Sequence, residues 1–263
     1  MAELFEIIHE DDDLLVVNKP ADLVCHPTKG DEYSSLISRA RLHLARTGQD
    51  CVPQLINRLD RETSGLVVIA KNATTARALR RQWEAGTVEK RYLAIVHGEL
   101  GEERSVIDAP LGRDEASVVA IKDCVRPDGA PAVTEVRRLG AFTRAGATFS
   151  LLEVLPRSGK KHQIRIHLAH AGHPIVGDKI YGGDETLYLD FVTGTLTAER
   201  AASLLLPSHA LHAGALRFKG QDAPVQFLAP TPTHFKDFVT AELQELLSPA
   251  AARAATEVPS KNP

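Results

Sequence analysis

Asn57-Arg58-Leu59-Asp60-Arg61-Glu62-Thr63-Ser64-Gly65-Leu66-Val67-Val68-Ile69-Ala70 is the stretch on which the reading of this chain turns. Gly65 to Ala70 is a short apolar, β-branched run suited to a buried strand, and Thr63-Ser64-Gly65 before it has the composition of a tight turn. The acid Asp60 therefore sits in a loop fixed by a rigid sheet, a common location for function. It stands between Arg58 and Arg61, and a cation within reach lowers a carboxyl pKa and keeps it ionised. A buried carboxylate kept charged can act as a nucleophile. Spacing alone favours a plainer reading, a solvated Arg/Asp/Arg/Glu loop that enters a core strand.

Resemblance changes that balance. Asn57 to Lys71 closely resembles the catalytic motif of the RluA-like pseudouridine synthase family, usually His-Arg-Leu-Asp-x-x-Thr-Ser-Gly-Leu. Asn57 stands where His is usual, at a position that is not the nucleophile.

The composition is that of an ordinary globular protein: 263 residues, 43% hydrophobic and 25% charged. No apolar run approaches the roughly 18 residues of a membrane span. The acidic start, Met1 to Asp13, lacks the basic and apolar regions of a signal peptide, so a cytoplasmic location is expected. Cys25, Cys51 and Cys124 form no metal or redox spacing and read as reduced thiols. A formal net charge of −3 argues weakly against a nucleic-acid partner, but its distribution matters more. Residues 3–13 carry six acids and no Lys or Arg; 157–165 carry four cations and no acid; 77–91 carry five cations against two acids. If the two basic stretches share a face with Asp60, an RNA backbone has a place to lie.

Along the chain, Phe5 to His9 and Leu14 to Asn18 read as strands joined by the acidic turn Glu10 to Asp13. The stretch through Lys19-Pro20 and Val24-Cys25-His26-Pro27 resembles the family's opening motif; Lys19 is a candidate site residue, although Pro20 favours a plain strand-to-turn junction. Ser34 to Arg46 is expected to be a packing helix, with Leu36, Ile37, Ala40, Leu44 and Ala45 at helical spacing. Asn72 is a plausible N-cap for a helix over Ala73 to Ala85 closed by Gly86. Its cationic face, Arg77, Arg80 and Arg81, reads first as solvated and second as an RNA contact. In the strand Lys90 to Val96, Tyr92 lies among small apolar residues and taken alone is a core tyrosine. The segment resembles the family's Lys-x-Tyr-Leu-Ala motif, whose tyrosine faces the target base, and this makes Tyr92 a site candidate. Gly98 to Pro131, rich in Gly, Pro and charge, says little. Ala132 to Leu139 and Thr148 to Leu155 read as a hairpin around Arg144-Ala145-Gly146.

The second important stretch runs from Ser158 to Pro174. Ser158 can cap a helix that Gly172 and Pro174 end, with Ile164, Leu168 and Ala171 as its buried stripe and His162, Arg165 and Ala169 on a neighbouring face. A nearly buried Arg165 needs an anionic partner. Four histidines in twelve residues invite a zinc reading, but His162 and His167 lie about 140° apart on a helix, and no acid or Cys accompanies His167 and His170. Through Gly177-Asp178 and Tyr181-Gly182 the stretch resembles the family's Gly-Arg-Thr-His-Gln-Ile-Arg-x-His motif, with Lys160-Lys161 in place of Arg-Thr. Positive charge is kept and bidentate phosphate geometry is lost. Ala210 to Phe218 is expected to be a closing strand that looks like the family's Ala-Leu-His-Ala segment, Pro232 to Leu247 a terminal helix, and 248–263 a frayed tail.

Resemblance covers roughly Leu14 to Gly220, with the motifs in the family's order. It implies an α+β fold, a long mixed, mostly antiparallel sheet with flanking helices and loops around a central cleft, as one catalytic domain over 1–247 without a separate N-terminal RNA-binding module. It also implies an RNA pseudouridine synthase acting as a monomer on tRNA or rRNA, with no cofactor, metal or membrane. Asp60, Tyr92 and Arg165 are the implied catalytic residues, with Arg165 pairing with Asp60; Arg58, Lys160, Lys161, His162 and Gln163 are the implied RNA-binding residues. The target uridine must leave its helix to reach the acid, and Arg58 fills the vacated space. The alternatives are an inactive RNA-binding protein of the same fold and a metal-dependent hydrolase, for which the acid-bearing His constellation is missing.

Overall fold

The computed structural model describes residues 5–27, 33–220 and 223–247; the tail 248–263 lies outside them. The strands are β1 (Glu6–Glu10), β2 (Leu14–Lys19), β3 (Gln54–Leu55), β4 (Ser64–Ala70), β5 (Glu89–His97), β6 (Arg104–Asp108), β7 (Leu111–Arg113), β8 (Asp123–Val125), β9 (Val133–Arg144), β10 (Ala147–Pro156), β11 (Leu211–Lys219) and β12 (Pro224–Leu228). The helices are α1 (Leu36–Arg46), α2 (Ala73–Glu84), α3 (Gln163–His170), α4 (Thr186–Thr193), α5 (Ala198–Ser203), α6 (Thr233–Phe238) and α7 (Ala241–Gln244). Ten of the strands are mixed and mostly antiparallel, the α+β class expected from the sequence.

The described residues divide into two compact units. One holds the chain up to Lys90, with His212–Pro232 and Leu247; the other holds Arg91–Leu211 and Thr233–Leu246. In the first unit the strand order is β1-β2-β4-β11, with β3 on β4 and β12 on β11. All seven residues of β4 are buried, so both of its faces are covered; β2 pairs along the strand, and β11 and β3 pair with its two ends. A strand buried on both faces reads as an unbroken apolar run, not as alternation. Its outer cover includes α2, whose Leu79 packs with Val16, Leu66, Val68 and Phe218.

The helix starts follow their caps. Ser35 Oγ accepts from Ser38 N at α1 and Asn72 Oδ1 from Thr75 N at α2, each satisfying one of the amides a helix leaves unpaired at its start. α1 buries Leu36, Ile37, Ala40 and Leu44, as its spacing predicts.

In the second unit the order is β5-β10-β9-β6. Ala145 and Gly146, at φ 49° and 80°, form the two-residue turn of the β9/β10 hairpin, and positive φ at both positions matches the twist of the flanking strands. Three aromatic rings close this end of the core: Phe149 lies 5.7 Å from Phe142 and 5.1 Å from Phe238.

Several expectations need correction. Helix α3 starts at Gln163, not at Ser158, and its N-cap residue His162 is left-handed and makes no side-chain cap. It is buried from Gln163 to Leu168, on every side and not along a stripe, while Ala171 lies beyond its end and is exposed. The terminal helix is broken into α6, α7 and a 3-10 turn at Glu245–Leu247. The break falls at Val239-Thr240, where Thr240 is extended (ψ 159°), and two β-branched residues in sequence favour such a backbone. The Gly98–Pro131 stretch supplies β6, β7 and β8, and α4, α5 and β12 were not expected.

The acidic start acts as a clasp. Glu10 accepts from Lys71 Nζ (2.7 Å) and Gln49 Nε2 (3.0 Å) and meets His43 Nε2 at 2.7 Å, joining β1 to α1 and to the end of β4. Burial opposes ionisation of Glu10, but the hydrogen bonds from Lys71, His43 and Gln49 outweigh it and lower its pKa from 4.5 to about 2. A depressed carboxyl pKa contributes stability that is complete above the unfolded value and is lost as pH falls towards the folded one. Glu10→Gln should therefore lower the melting temperature at pH 7 by on the order of 2–4 °C. Melts at several pH values should show that deficit shrinking between pH 4.5 and about 2; a deficit constant with pH would sink the assignment.

Candidate active site

In the first unit, Asp60 is half-buried between a buried Leu59 and an exposed Arg61, with Arg58 also exposed. The turn closes through Thr63 N, which donates to Asp60 O at 3.2 Å. Contacts from the segment after β2 grip the backbone on both sides of the acid. Before it, Leu59 N donates to Cys25 Sγ at 3.4 Å and Cys25 Sγ donates to Leu59 O at 3.4 Å. After it, Lys19 Nζ donates to Arg61 O at 3.0 Å, and also to Pro20 O and Leu23 O, both at 2.8 Å.

Lys19 is fully buried. Burial lowers its pKa from 10.5 to about 8, against the opposing influence of Cys25, Asp60, Asp22 and Glu62. It remains largely protonated at neutral pH, and it is a buried cation within electrostatic range of Asp60, a part the sequence reading gave to Arg58 and Arg61.

The start of β4 sets where the loop ends. Asn57 reaches β4 with both ends of its carboxamide: Nδ2 donates to Leu66 O at 3.0 Å and Oδ1 accepts from Val68 N at 2.8 Å. The residue in place of the usual His thus has a defined job, tying the entry of the loop to the strand that follows it. Gly65 has φ +114° and lies so close to β11 that a Cβ would collide with the Ala213 backbone, so the glycine answers both a conformational and a steric demand. Beside it Ser64 Oγ meets His212 Nδ1 at 2.9 Å.

In the second unit, Tyr92 is half-buried on β5, opposite Val154 of β10. The basic loop before α3 is knitted by Gln163: its Oε1 accepts from Ser158 Oγ (2.7 Å) and Lys160 N (3.1 Å), and its Nε2 donates to Val133 O (2.9 Å) and Thr134 Oγ1 (3.0 Å). Gln163 is 3% exposed, so it shapes the loop from inside, which differs from the surface RNA contact expected of it. Of the loop's cations, Arg157 is bonded to Glu135 and Lys161 to Asp123 (2.9 Å), while Lys160 is exposed. His162 holds φ 55°, a strained value for a residue with a Cβ and a mark of functional loops. Its Nδ1 lies 2.9 Å from Tyr181 OH.

The family resemblance implies Asp60 as an anionic partner of Arg165. Inside its own unit it has Asp178, bound through Nε at 2.7 Å and Nη2 at 2.9 Å. Burial opposes ionisation of Asp178, but the Arg165 charge and hydrogen bonds outweigh it and hold the carboxyl well below the usual range. Asp178 went unassigned although it lies in the stretch that resembles the family; the available signal was the rule that a buried Arg needs a carboxylate.

His167 is a core histidine. Its ring nitrogens lie 2.8 Å from Thr134 Oγ1 and 2.9 Å from Ala109 O, and burial lowers its pKa, favouring the neutral ring. The cysteines are free thiols, and no helix among the described residues is long and apolar enough to cross a membrane.

A sequence model of the RNA pseudouridylate synthase family matches residues 13–170, more than half of the chain. The chain belongs to this family. It is 36% identical over 211 residues to ribosomal large subunit pseudouridine synthase D of Nitrosomonas europaea, covering 80% of this chain and 57% of that one. It is 35% identical over 182 residues to the uncharacterized RNA pseudouridine synthase YhcT of Bacillus subtilis, covering 69% of this chain and 59% of that one. It thus spans less than two thirds of the length of these relatives. Among solved structures, human RNA pseudouridylate synthase domain containing 1 aligns with a TM-score of 0.72 at 25% identity, covering 100% of this chain and 99% of that one.

Lys19 gives the site's first test. Lys19→Met removes the buried donor of three carbonyls, and leaving such acceptors unsatisfied should cost about 2–4 kcal/mol in urea unfolding. A loss below about 1 kcal/mol would mean that water or a rearranged loop replaces the ammonium.

Proposed function

We propose that the protein is an RNA pseudouridine synthase that isomerises specific uridines in structured RNA, tRNA or rRNA, with Asp60 as nucleophile. The N-glycosidic bond between N1 and C1′ breaks, the uracil turns, and C5 bonds to C1′; C5 loses a proton and N1 gains one. Nothing is added or removed overall, so the reaction draws on no redox or energy cofactor. Asp60 attacks the sugar or the base, and in either case a carboxylate held opposite a glycosidic bond is suited to the step. The uridine is flipped out of its helix. Tyr92 stacks on the base or assists removal of the C5 proton, Arg165 pairs with the Asp60 carboxylate, and Arg58 occupies the space the base leaves. Lys160, Lys161 and His162 contact RNA, with Gln163 shaping the loop that carries them. The enzyme acts as a monomer in the cytoplasm.

The observation that carries this reading is the Asp60 loop itself. The family's Asp motif lies in a turn whose backbone is held at Leu59 by Cys25 and at Arg61 by Lys19, and a reacting carboxylate needs such fixed placement.

Asp60→Asn tests it with little change of shape. On transcribed tRNA and rRNA the variant should form no pseudouridine while its RNA affinity stays within a few-fold of the parent's. Residual turnover above about one per cent would count against a nucleophile, whose loss removes a whole covalent step.

Binding should also weaken steeply with salt, as release of counterions from phosphates requires. Lys160→Ala should reduce the slope of log K against log salt by about 1. Lys161→Ala should reduce it by less, because Asp123 already pairs with that ammonium. Equal slopes for parent and Lys160→Ala would move the RNA track away from this loop.

A further inference from the structure

The Arg165–Asp178 pair is buried more deeply than stability explains. Arg165 is 4% exposed and the Asp178 side chain 0%, and a buried ion pair often gains no stability over apolar residues of the same volume. What such a pair does supply is geometry. A guanidinium is a planar fork of five N–H groups, and Asp178 takes one edge of it, Nε with Nη2, by two bonds of 2.7 and 2.9 Å. The carboxylate is itself fixed, since Asp178 Oδ1 accepts from Ile180 N at 2.9 Å and Tyr181 N at 3.0 Å. The plane of the fork is set separately: Arg165 Cζ lies 5.0 Å from the centroid of the Tyr181 ring, a position in which ring and cation attract.

Tyr181 is anchored at its far end as well. Its hydroxyl accepts from Asp123 N at 3.2 Å and lies within hydrogen-bond distance of His162 Nδ1, at 2.9 Å. The ring under Arg165 is therefore tied to His162, the strained residue just before α3. In-plane rotation of the fork is blocked by Asp178 and tilting by Tyr181.

We propose that Asp178 and Tyr181 are positioning residues for Arg165, holding its guanidinium as a rigid fork in the one orientation that the reaction uses. The proposal rests on Arg165 serving the pseudouridine reaction, as argued above. The guanidinium acts from a fixed position, and misplacement of about 1 Å costs on the order of 100-fold in rate.

The test is a double-mutant cycle on the full chain, measured as single-turnover pseudouridine formation on a transcribed RNA substrate of the parent, with RNA Kd measured alongside. Asp178→Asn should lose roughly 10- to 100-fold in rate with Kd within about threefold. In an Arg165→Gln background the same substitution should change the rate by less than about threefold, because residues that act through one another do not add. Loss by the same factor in both backgrounds overturns the proposal, and so does a loss that merely follows the folded fraction seen by circular dichroism.

If Asp178→Asn does not fold, Tyr181→Leu takes its place in the cycle, and Tyr181→Phe, which keeps the ring, should recover most of what Leu loses. A Phe variant as slow as Leu overturns the role given to the ring. Parental rate in Arg165→Gln would instead refute the role of Arg165 in the reaction, and the positioning proposal with it; an additive cycle refutes the positioning proposal alone.

Discussion

The Asp60 loop depends on an ammonium group with no access to water. Lys19 Nζ is held by three carbonyl oxygens, from Pro20, Leu23 and Arg61, and these dipoles offset part of the cost of taking a charge out of water. Burial still drives its pKa down to about 8, and Asp60, Glu62 and Asp22 are among the groups that resist the fall. The dependence is mutual. The ammonium fixes the backbone that carries Asp60, and the charge of Asp60 helps keep the ammonium protonated. Pro20 turns the chain at once after β2, so the same lysine can reach the carbonyls of its own turn and of a loop 42 residues away.

β4 transmits that placement into the sheet. Its parallel pairing with β11, His212 opposite Ser64 and Ala213 opposite Gly65, brings two backbones so close that only glycine fits at 65. Asn57, one step further out, uses both ends of its amide on the same strand. The loop is consequently held at its entry by a side chain, at its centre by a thiol and an ammonium, and at its exit by a strand buried along its whole length. Preorganisation here comes from many modest bonds converging on one short segment.

Much of this was legible in the sequence, and the division between what was and was not has physical causes. Elements made by local signals were readable: β4 by its apolar run, α1 and α2 by spacing and caps, the β9/β10 hairpin by its turn around Arg144-Ala145-Gly146. Elements made by distant pairing were not. Strand β6 exists because β9 accepts it along Arg104 to Asp108, and nothing within Arg-Ser-Val-Ile-Asp announces a partner some thirty residues on. Helix α3 misled for a related reason. Its burial on all sides erases the stripe that marks an amphipathic helix, and its start is set by a strained His162 in place of a Ser cap. Among the candidate site residues, Asp60 is named by its motif, whereas Lys19 reads as a strand-to-turn junction and Asp178 carries no local signal. Both act through partners that sequence spacing does not reveal: carbonyls for one, a guanidinium for the other.

Charge counting shows the same limit. Four cations between 157 and 165 suggested a phosphate track. Three of them are engaged inside the protein, Arg157 with Glu135, Lys161 with Asp123 and Arg165 with Asp178. On α2, by contrast, Arg77, Arg80 and Arg81 are exposed, and none forms an ion pair among the described residues. What a polyanion meets is the charge left after such internal pairing, and a cation already facing a carboxylate releases little further free energy on meeting a phosphate. Internal ion pairs remove acids and cations in equal number, so a formal charge of −3 is compatible with a local excess of positive charge such as that on α2. The informative quantity is the number of exposed cations without an internal partner, and that number follows from the fold, not from the composition.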